Sequence, residues 1–251
     1  MTVHTEDSGA VRVITIDNPE RRNALDRSTF EGLGLAFSNA ASDGDIRVVV
    51  LTAVGDRAFC AGMDLKSFAS GVSEPFAGPG PELFTERFYP KPIVAAVNGA
   101  AVGGGLGIML ACDVIIAVDD ARFGLPEVQR GLIGAGSGSR ATLRLPPAVA
   151  MELALTGDLI DARRAYELGM INRVVARSDL MPVAMAVAAR IAANGPIAVR
   201  ATKEMVYDIA ALGRVDMAAL RAKVAYVSKS ADAKEGARAF SEHRAPVFRD
   251  E

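Results

Sequence analysis

Two glycine-centred stretches hold the residue pattern with the clearest chemical use. They are residues 59–66 (FCAGMDLK) and 98–107 (NGAAVGGGLG), and each follows an apolar, strand-like run. Glycine lets the backbone approach a ligand closely, and fixed N–H groups aimed at a carbonyl oxygen stabilise the negative charge that gathers there. We therefore predict that the two stretches form the halves of an oxyanion hole, a device that stabilises an enolate.

The composition is that of a globular protein without a strong charge bias. The chain has 251 residues, 50% of them hydrophobic, with 28 basic and 30 acidic residues and a formal net charge of −2. This balance offers no basic footprint for nucleic acid or an anionic membrane, so neither is an expected partner. Because only Cys60 and Cys112 are present and no basic-then-apolar leader opens the chain, we expect a cytoplasmic protein without disulfides. The longest apolar run, around 105–118, is interrupted by Asp113, which argues against a membrane span.

Strand patterns dominate the first two thirds of the chain. The alternating segment Val11–Ile16 predicts a strand that closes an N-terminal hairpin, and an N-cap at Ser28 predicts a helix to about Ala41. Glycine and proline are dense over residues 67–90, which predicts a loop able to cover a site. Continuous apolar runs predict parallel strands covered on both faces: residues 48–51, 93–97 and 114–118.

Helical patterns take over beyond about residue 145. The longest helical runs are residues 179–193, 197–212 and 214–228. We therefore predict an α/β protein with a strand-rich core over residues 1–175 and a helical oligomerisation region over residues 176–251.

An ordered set of short motifs resembles the crotonase, or enoyl-CoA hydratase/isomerase, superfamily over nearly the whole length. Each motif is weak alone, but their order along the chain is specific. They are residues 22–25 (RNAL), 59–66, 91–99 (KPIVAAVNG), 103–105 (GGG), 111–113 (ACD), 123–127 (FGLPE), 155–157 (LTG), 169–174 (GMINRV) and 240–246 (FSEHRAP).

This resemblance implies a spiral of ββα turns with a helical trimerisation region, binding an acyl-CoA thioester as a homotrimer or hexamer. It implies that the backbone N–H groups of Met63 and Gly104 form the oxyanion hole and that Glu127 is the catalytic acid/base. Asp64 is interpreted mainly as a cap that holds the loop of Met63. The residues implied to line the substrate site are Ala61, Asp64, Leu65, Lys66, Arg22, Ala24 and Gly107. CoA belongs to the substrate, so no separate cofactor and no metal is expected.

The chain departs from the family pattern at position 107. Typical hydratases have a second glutamate there, and the two carboxylates share one water, whereas this chain has Gly107. One carboxylate can still move a proton between two carbons, which favours double-bond isomerisation through a thioester enolate. Hydration remains an alternative if a glutamate of the 67–90 loop (Glu74, Glu82 or Glu86) replaces the missing base. A catalytically silent acyl-CoA binding protein is the other alternative.

Other chemistries lack their residues. The two histidines, His4 and His243, lie near opposite ends of the chain, which argues against a histidine triad or metal site. The Gly/Ser segment 131–140 has neither the GxGxxG spacing nor a preceding strand, so it does not predict a dinucleotide site. Compared with the family pattern this segment is slightly longer and richer in serine. Because it lies near the acyl pocket in the family, an unusual acyl specificity is expected.

Overall fold

The strands alternate between two sheets in the computed structural model, which describes residues 2–64 and 89–251. Ten strands are described in this part of the chain: β1 (Val3–Ser8), β2 (Val11–Ile16), β3 (Val48–Ala53), β4 (Ala58–Cys60), β5 (Ile93–Val97), β6 (Ala100–Val102), β7 (Val114–Val118), β8 (Arg122–Gly124), β9 (Leu159–Asp161) and β10 (Arg173–Val175). The larger sheet has the order β1-β2-β3-β5-β7-β10, and the smaller has the order β4-β6-β8-β9.

Successive strand pairs send one strand to each sheet, which produces a spiral. The pairs are β3/β4, β5/β6 and β7/β8, and neighbouring strands from β2 to β10 in the larger sheet are parallel. The pair β5/β6 is followed by helix α2 (Gly104–Ala111), which completes a ββα turn. The predicted α/β spiral is therefore confirmed, and the N-terminal hairpin is the antiparallel pair of β1 and β2.

The first helix begins two residues earlier than predicted. Helix α1 spans Arg27–Ser42, and its N-cap is Asp26, whose carboxylate accepts a hydrogen bond from the Thr29 N–H at 2.8 Å. The predicted cap at Ser28 is wrong because Ser28 already lies inside the first turn, where its hydroxyl contacts the Thr2 hydroxyl at 3.1 Å. Both residues are of types that favour caps, so composition alone did not separate them.

Within the described residues, the other α-helices all lie beyond residue 134. They are α3 (Ala135–Arg144), α4 (Pro147–Thr156), α5 (Ala162–Glu167), α6 (Leu180–Ala192), α7 (Pro196–Leu212), α8 (Met217–Lys229) and α9 (Ala231–Ser241). Helix α6 contributes Leu180, Ala184 and Ala188 to the same hydrophobic core as the sheets. The division at residues 175 and 176 stays a prediction. Within the described residues no single helix is long and apolar enough to cross a bilayer, whereas the bent pair Arg177–Ala192 and Pro196–Leu212 meets the length and composition test together.

A buried ion pair attaches α7 to the core. The Lys203 ammonium lies 2.8 Å from the Asp113 carboxylate and donates a hydrogen bond to the Lys91 carbonyl at 2.7 Å. The Tyr207 hydroxyl donates to the other Asp113 oxygen at 3.0 Å. Asp113 also accepts from the Ile93 N–H, so one carboxylate connects α7 with the ends of β5 and α2.

Both cysteines are buried, and we predict that they are unreactive in the folded protein. Burial raises the pKa of the Cys60 thiol and that of the Cys112 thiol to about 12 each. Because the thiolate is the reactive form, a disulfide reagent at about pH 8 should titrate neither thiol until the protein is unfolded. Rapid release of the reagent's chromophore from the native protein would contradict this expectation. The denatured protein is the control, in which both thiols should react.

Candidate active site

A short backbone ladder holds the segment that contains Met63. Leu25 and Met63 form an isolated parallel bridge, in which the Leu25 N–H donates to the Gly62 carbonyl at 2.7 Å and the Asp64 N–H donates to the Leu25 carbonyl at 3.1 Å. In this parallel pattern the bonds use the residues on either side of Met63. The Met63 N–H is therefore directed away from Leu25, on the side of the ladder that a ligand can occupy.

Close backbone approach explains the glycines around Met63. Gly62 has a φ of +86°, and a Cβ on it would lie 2.8 Å from the Val102 carbonyl oxygen and 3.2 Å from the Gly104 nitrogen. A Cβ on Gly105 would overlap the Cys60 carbonyl group. The strand ends after β4 and β6 thus contact each other backbone to backbone, which only glycine permits.

The two predicted oxyanion donors lie side by side. A Cβ placed on Gly104 would lie 3.7 Å from the Met63 nitrogen and 3.3 Å from Cδ1 of Leu25. Gly104 is the first residue of α2, where backbone N–H groups have no partner within the helix and the helix dipole is positive. The position therefore suits an oxygen that gains negative charge.

Glu127 approaches the same point from a third segment. It lies in the 3-10 helix Pro126–Arg130, which directly follows β8 and ends at Gly131 in a left-handed conformation. Its Oε1 atom is 3.3 Å from the Cβ position of Gly103, the residue before Gly104. A carboxylate and two backbone donors are thus brought together at the carboxyl ends of β4, β6 and β8.

Gly107 lies one helical turn beyond Gly103 and is buried. Its N–H donates to the Gly103 carbonyl at 3.1 Å, the first regular bond of α2. Position 107 is thus tied by a backbone hydrogen bond to the glycine beside which the Glu127 carboxylate lies.

The other predicted site residues lie in several environments. Ala61 is exposed and Ala24 is buried, on either side of the backbone ladder. The Asp64 carboxylate accepts a hydrogen bond from Arg21 at 2.7 Å, a partner that the sequence did not indicate. Leu65, Lys66 and the glutamates of the 67–90 loop, Glu74, Glu82 and Glu86, lie outside the described residues.

A cleft lined by four arginines and by Asp56 and Asp120 runs along the smaller sheet beside these residues. Arg22 and Ala61 line it, and its volume is about 690 Å³. Arginines from three further segments lie around the cleft, namely Arg57, Arg122 and Arg130. Of these four arginines the sequence indicated Arg22 alone, because the others are far apart along the chain and belong to no motif.

Comparisons with known proteins agree with this fold. Solved structures with the same crotonase fold include an enoyl-CoA hydratase from Mycobacterium tuberculosis H37Rv, with a TM-score of 0.90 and 41% identity over 100% of this chain and 99% of that chain. An enoyl-CoA hydratase/isomerase from Mycobacterium paratuberculosis has a TM-score of 0.91 and 30% identity over the same shares of the two chains.

The sequence comparisons define the family. The family described as Enoyl-CoA hydratase/isomerase matches residues 6–251. A relative, (E)-benzylidenesuccinyl-CoA hydratase from Thauera aromatica, is 38% identical over 99% of both chains, and carnitinyl-CoA dehydratase from Proteus mirabilis is 37% identical over 99% of this chain and 98% of its own. The chain belongs to the enoyl-CoA hydratase/isomerase family and is a crotonase-superfamily enzyme, a family that acts on CoA thioesters.

Proposed function

We propose that this enzyme isomerises a double bond in an enoyl-CoA thioester, with Glu127 as its single acid/base. The observation that supports this reaction is the combination of one carboxylate beside Gly103 with a glycine at position 107, one turn further along the chain. The N–H groups of Met63 and Gly104 hold the thioester oxygen, and each such donor stabilises the charged transition state by about 2.7–4 kcal/mol.

Isomerisation needs only one group to remove and return the proton. The Glu127 carboxylate removes a proton from C2 of a 3-enoyl-CoA, and the electron pair moves through the thioester to its carbonyl oxygen. The protonated Glu127 then returns the proton to C4, and the double bond forms between C2 and C3. No water enters the reaction, so no second carboxylate is required.

Hydration of a 2-enoyl-CoA is the second candidate. Relatives of this chain are named as a hydratase and a dehydratase, which favours this reaction. Water addition requires one group to activate the water and another to protonate carbon. Among the described residues, the carboxylate beside Gly103 is that of Glu127. The second group needed for hydration would therefore have to be Glu74, Glu82 or Glu86, which lie outside the described part of the chain.

We further propose that the enzyme is a homo-oligomer, either a trimer or a hexamer. Exposed apolar side chains on or beside α7 and α8 support a subunit contact in this region: Val206, Leu212, Val215, Met217, Val224 and Tyr226. Light scattering during size-exclusion chromatography would measure the number of subunits. A monomer at micromolar concentration would contradict this part of the proposal.

Gly107→Glu is predicted to increase hydration relative to isomerisation. The new carboxylate would lie one turn from the glycine that Glu127 contacts, and it would activate a water there. We expect the wild-type protein to convert 3-enoyl-CoA to 2-enoyl-CoA faster than it hydrates 2-enoyl-CoA, and the variant to raise the hydration rate by about tenfold or more.

Gly107→Gln is the matched control, because it has the size of glutamate without the charge. It should not gain hydration. Rapid hydration by the wild-type protein, at a rate above its isomerisation, would contradict the isomerase proposal and favour the second candidate.

A further inference from the structure

The backbone before the ladder has two consecutive non-glycine residues in the left-handed region. Arg22 has a φ of +54° and Asn23 a φ of +56°. Residues with a Cβ rarely adopt this conformation, and asparagine is among those that tolerate it best. A strained pair directly next to a proposed site needs surrounding contacts that keep it in place.

The Asn23 amide supplies those contacts. The side chain is buried, with 1% of the residue exposed. Its amide nitrogen donates to the Val54 carbonyl at 3.0 Å and to the Ala58 carbonyl at 2.7 Å, and its amide oxygen accepts from the Asn18 N–H at 2.9 Å. One side chain thus joins the left-handed segment to both ends of the turn between β3 and β4.

The segment fixed by Asn23 is the one that aligns Met63. The Arg22 carbonyl accepts from the Ala61 N–H at 3.1 Å, and Leu25 forms the two bonds of the parallel bridge described above. The Leu25 side chain also lies against Gly104. A change in the path of residues 22–25 would therefore move both donors of the proposed oxyanion hole.

We infer that Asn23 is a positioning residue for the oxyanion hole, which its amide keeps aligned through the backbone of residues 22–25 and 61–64. Asn23 does not touch the substrate in this scheme. The inference rests on the proposed function, because it assumes that Met63 and Gly104 bind the thioester oxygen. Hydrogen bonds weaken steeply as the donor turns away from the acceptor, so a small displacement of the Met63 N–H reduces charge stabilisation.

Asn23→Asp and Asn23→Gly separate positioning from folding. Aspartate has the same size and tolerates the left-handed conformation, but it presents oxygens to two carbonyl groups. Glycine accepts the conformation and lacks the amide. We expect both variants to lower kcat by about tenfold or more. A substitution far from the chemistry that misplaces the reacting groups by about 1 Å can lower the rate by about 100-fold. KM should stay within a few-fold of the wild-type value.

A spectroscopic measurement reads the oxyanion hole directly. An aryl-conjugated 2-enoyl-CoA absorbs at longer wavelength when its carbonyl oxygen accepts strong hydrogen bonds, and the wild-type protein should produce this shift on binding. Both Asn23 variants should bind the probe with a smaller shift. The control is Asn172→Ala, which removes a hydrogen bond of 2.7 Å to the Ile115 N–H and should lower the unfolding temperature while the shift remains.

Two outcomes would overturn the inference in different ways. Asn23 variants with a lower unfolding temperature but wild-type kcat and a full shift would show that the amide stabilises the fold only. A wild-type protein that binds the probe without any shift would contradict the proposed oxyanion hole, and the role of Asn23 with it.

Discussion

Glu127→Gln should lower kcat for isomerisation by about 10²–10⁴-fold, the usual contribution of a positioned acid/base. Glutamine keeps the size and polarity of the side chain but cannot accept and return the proton. The two backbone donors are unchanged, so binding of the thioester should change by no more than a few-fold. Steady-state rates with 3-enoyl-CoA, together with the dissociation constant of the product complex, would measure both effects.

Glu152→Gln provides the matched control, because Glu152 is an exposed residue of α4 outside the candidate site. Its rate should equal that of the wild-type protein. If Glu127→Gln turned over every tested thioester at the wild-type rate and still bound it, Glu127 would not be the acid/base and the proposed isomerase mechanism would be wrong.

Gly62→Ala should lower kcat by about 10²–10³-fold, the cost of removing one oxyanion donor. The residue has a φ of +86°, and its new methyl group would lie 2.8 Å from the Val102 carbonyl oxygen and 3.2 Å from the Gly104 nitrogen. The two strand ends must separate to make room, and this moves the Met63 and Gly104 N–H groups apart. The loss should appear in kcat, because charge on the oxygen develops in the transition state.

Gly213→Ala is the control that separates the cost of the left-handed conformation from the steric clash at Gly62. Gly213 ends α7 with a φ of +62°, and nothing lies within 4 Å of the added methyl group. It should lose about 1–2 kcal/mol of stability from the left-handed conformation with no change in kcat. If both alanine variants kept the wild-type rate, close backbone contact would not set the donor geometry.

The sequence predicted most elements but few of the contacts that connect them. The apolar runs at 93–97 and 114–118 are β5 and β7, because a strand buried on both faces must be apolar throughout. The ion pair of Asp113 with Lys203 was not predicted, since 90 residues separate two ordinary charged residues and no local pattern relates them. The left-handed Arg22 and Asn23 were missed for a related reason, because their conformation depends on hydrogen bonds to Val54 and Ala58.

The candidate site shows the same division. The glycines at 62 and 103–105 were predictable, because only glycine fits where one backbone touches another. Glu127 was predicted as a site residue only from the family resemblance, since a carboxylate after proline is otherwise an ordinary first-turn residue. The bridge between Leu25 and Met63 joins residues whose pairing no periodicity in the sequence indicates.

The smaller sheet sets the spacing between the two backbone donors of the proposed oxyanion hole. Met63 and Gly104 follow β4 and β6, which are neighbouring parallel strands, and the spacing of such neighbours is about 4.7–4.9 Å in any sheet. The width of the hole is thus a property of the main chain, whose alignment Asn23 maintains, and it does not depend on the acyl group. Substitutions at positions 107 and 127 could exchange one reaction for another while that dimension stays constant.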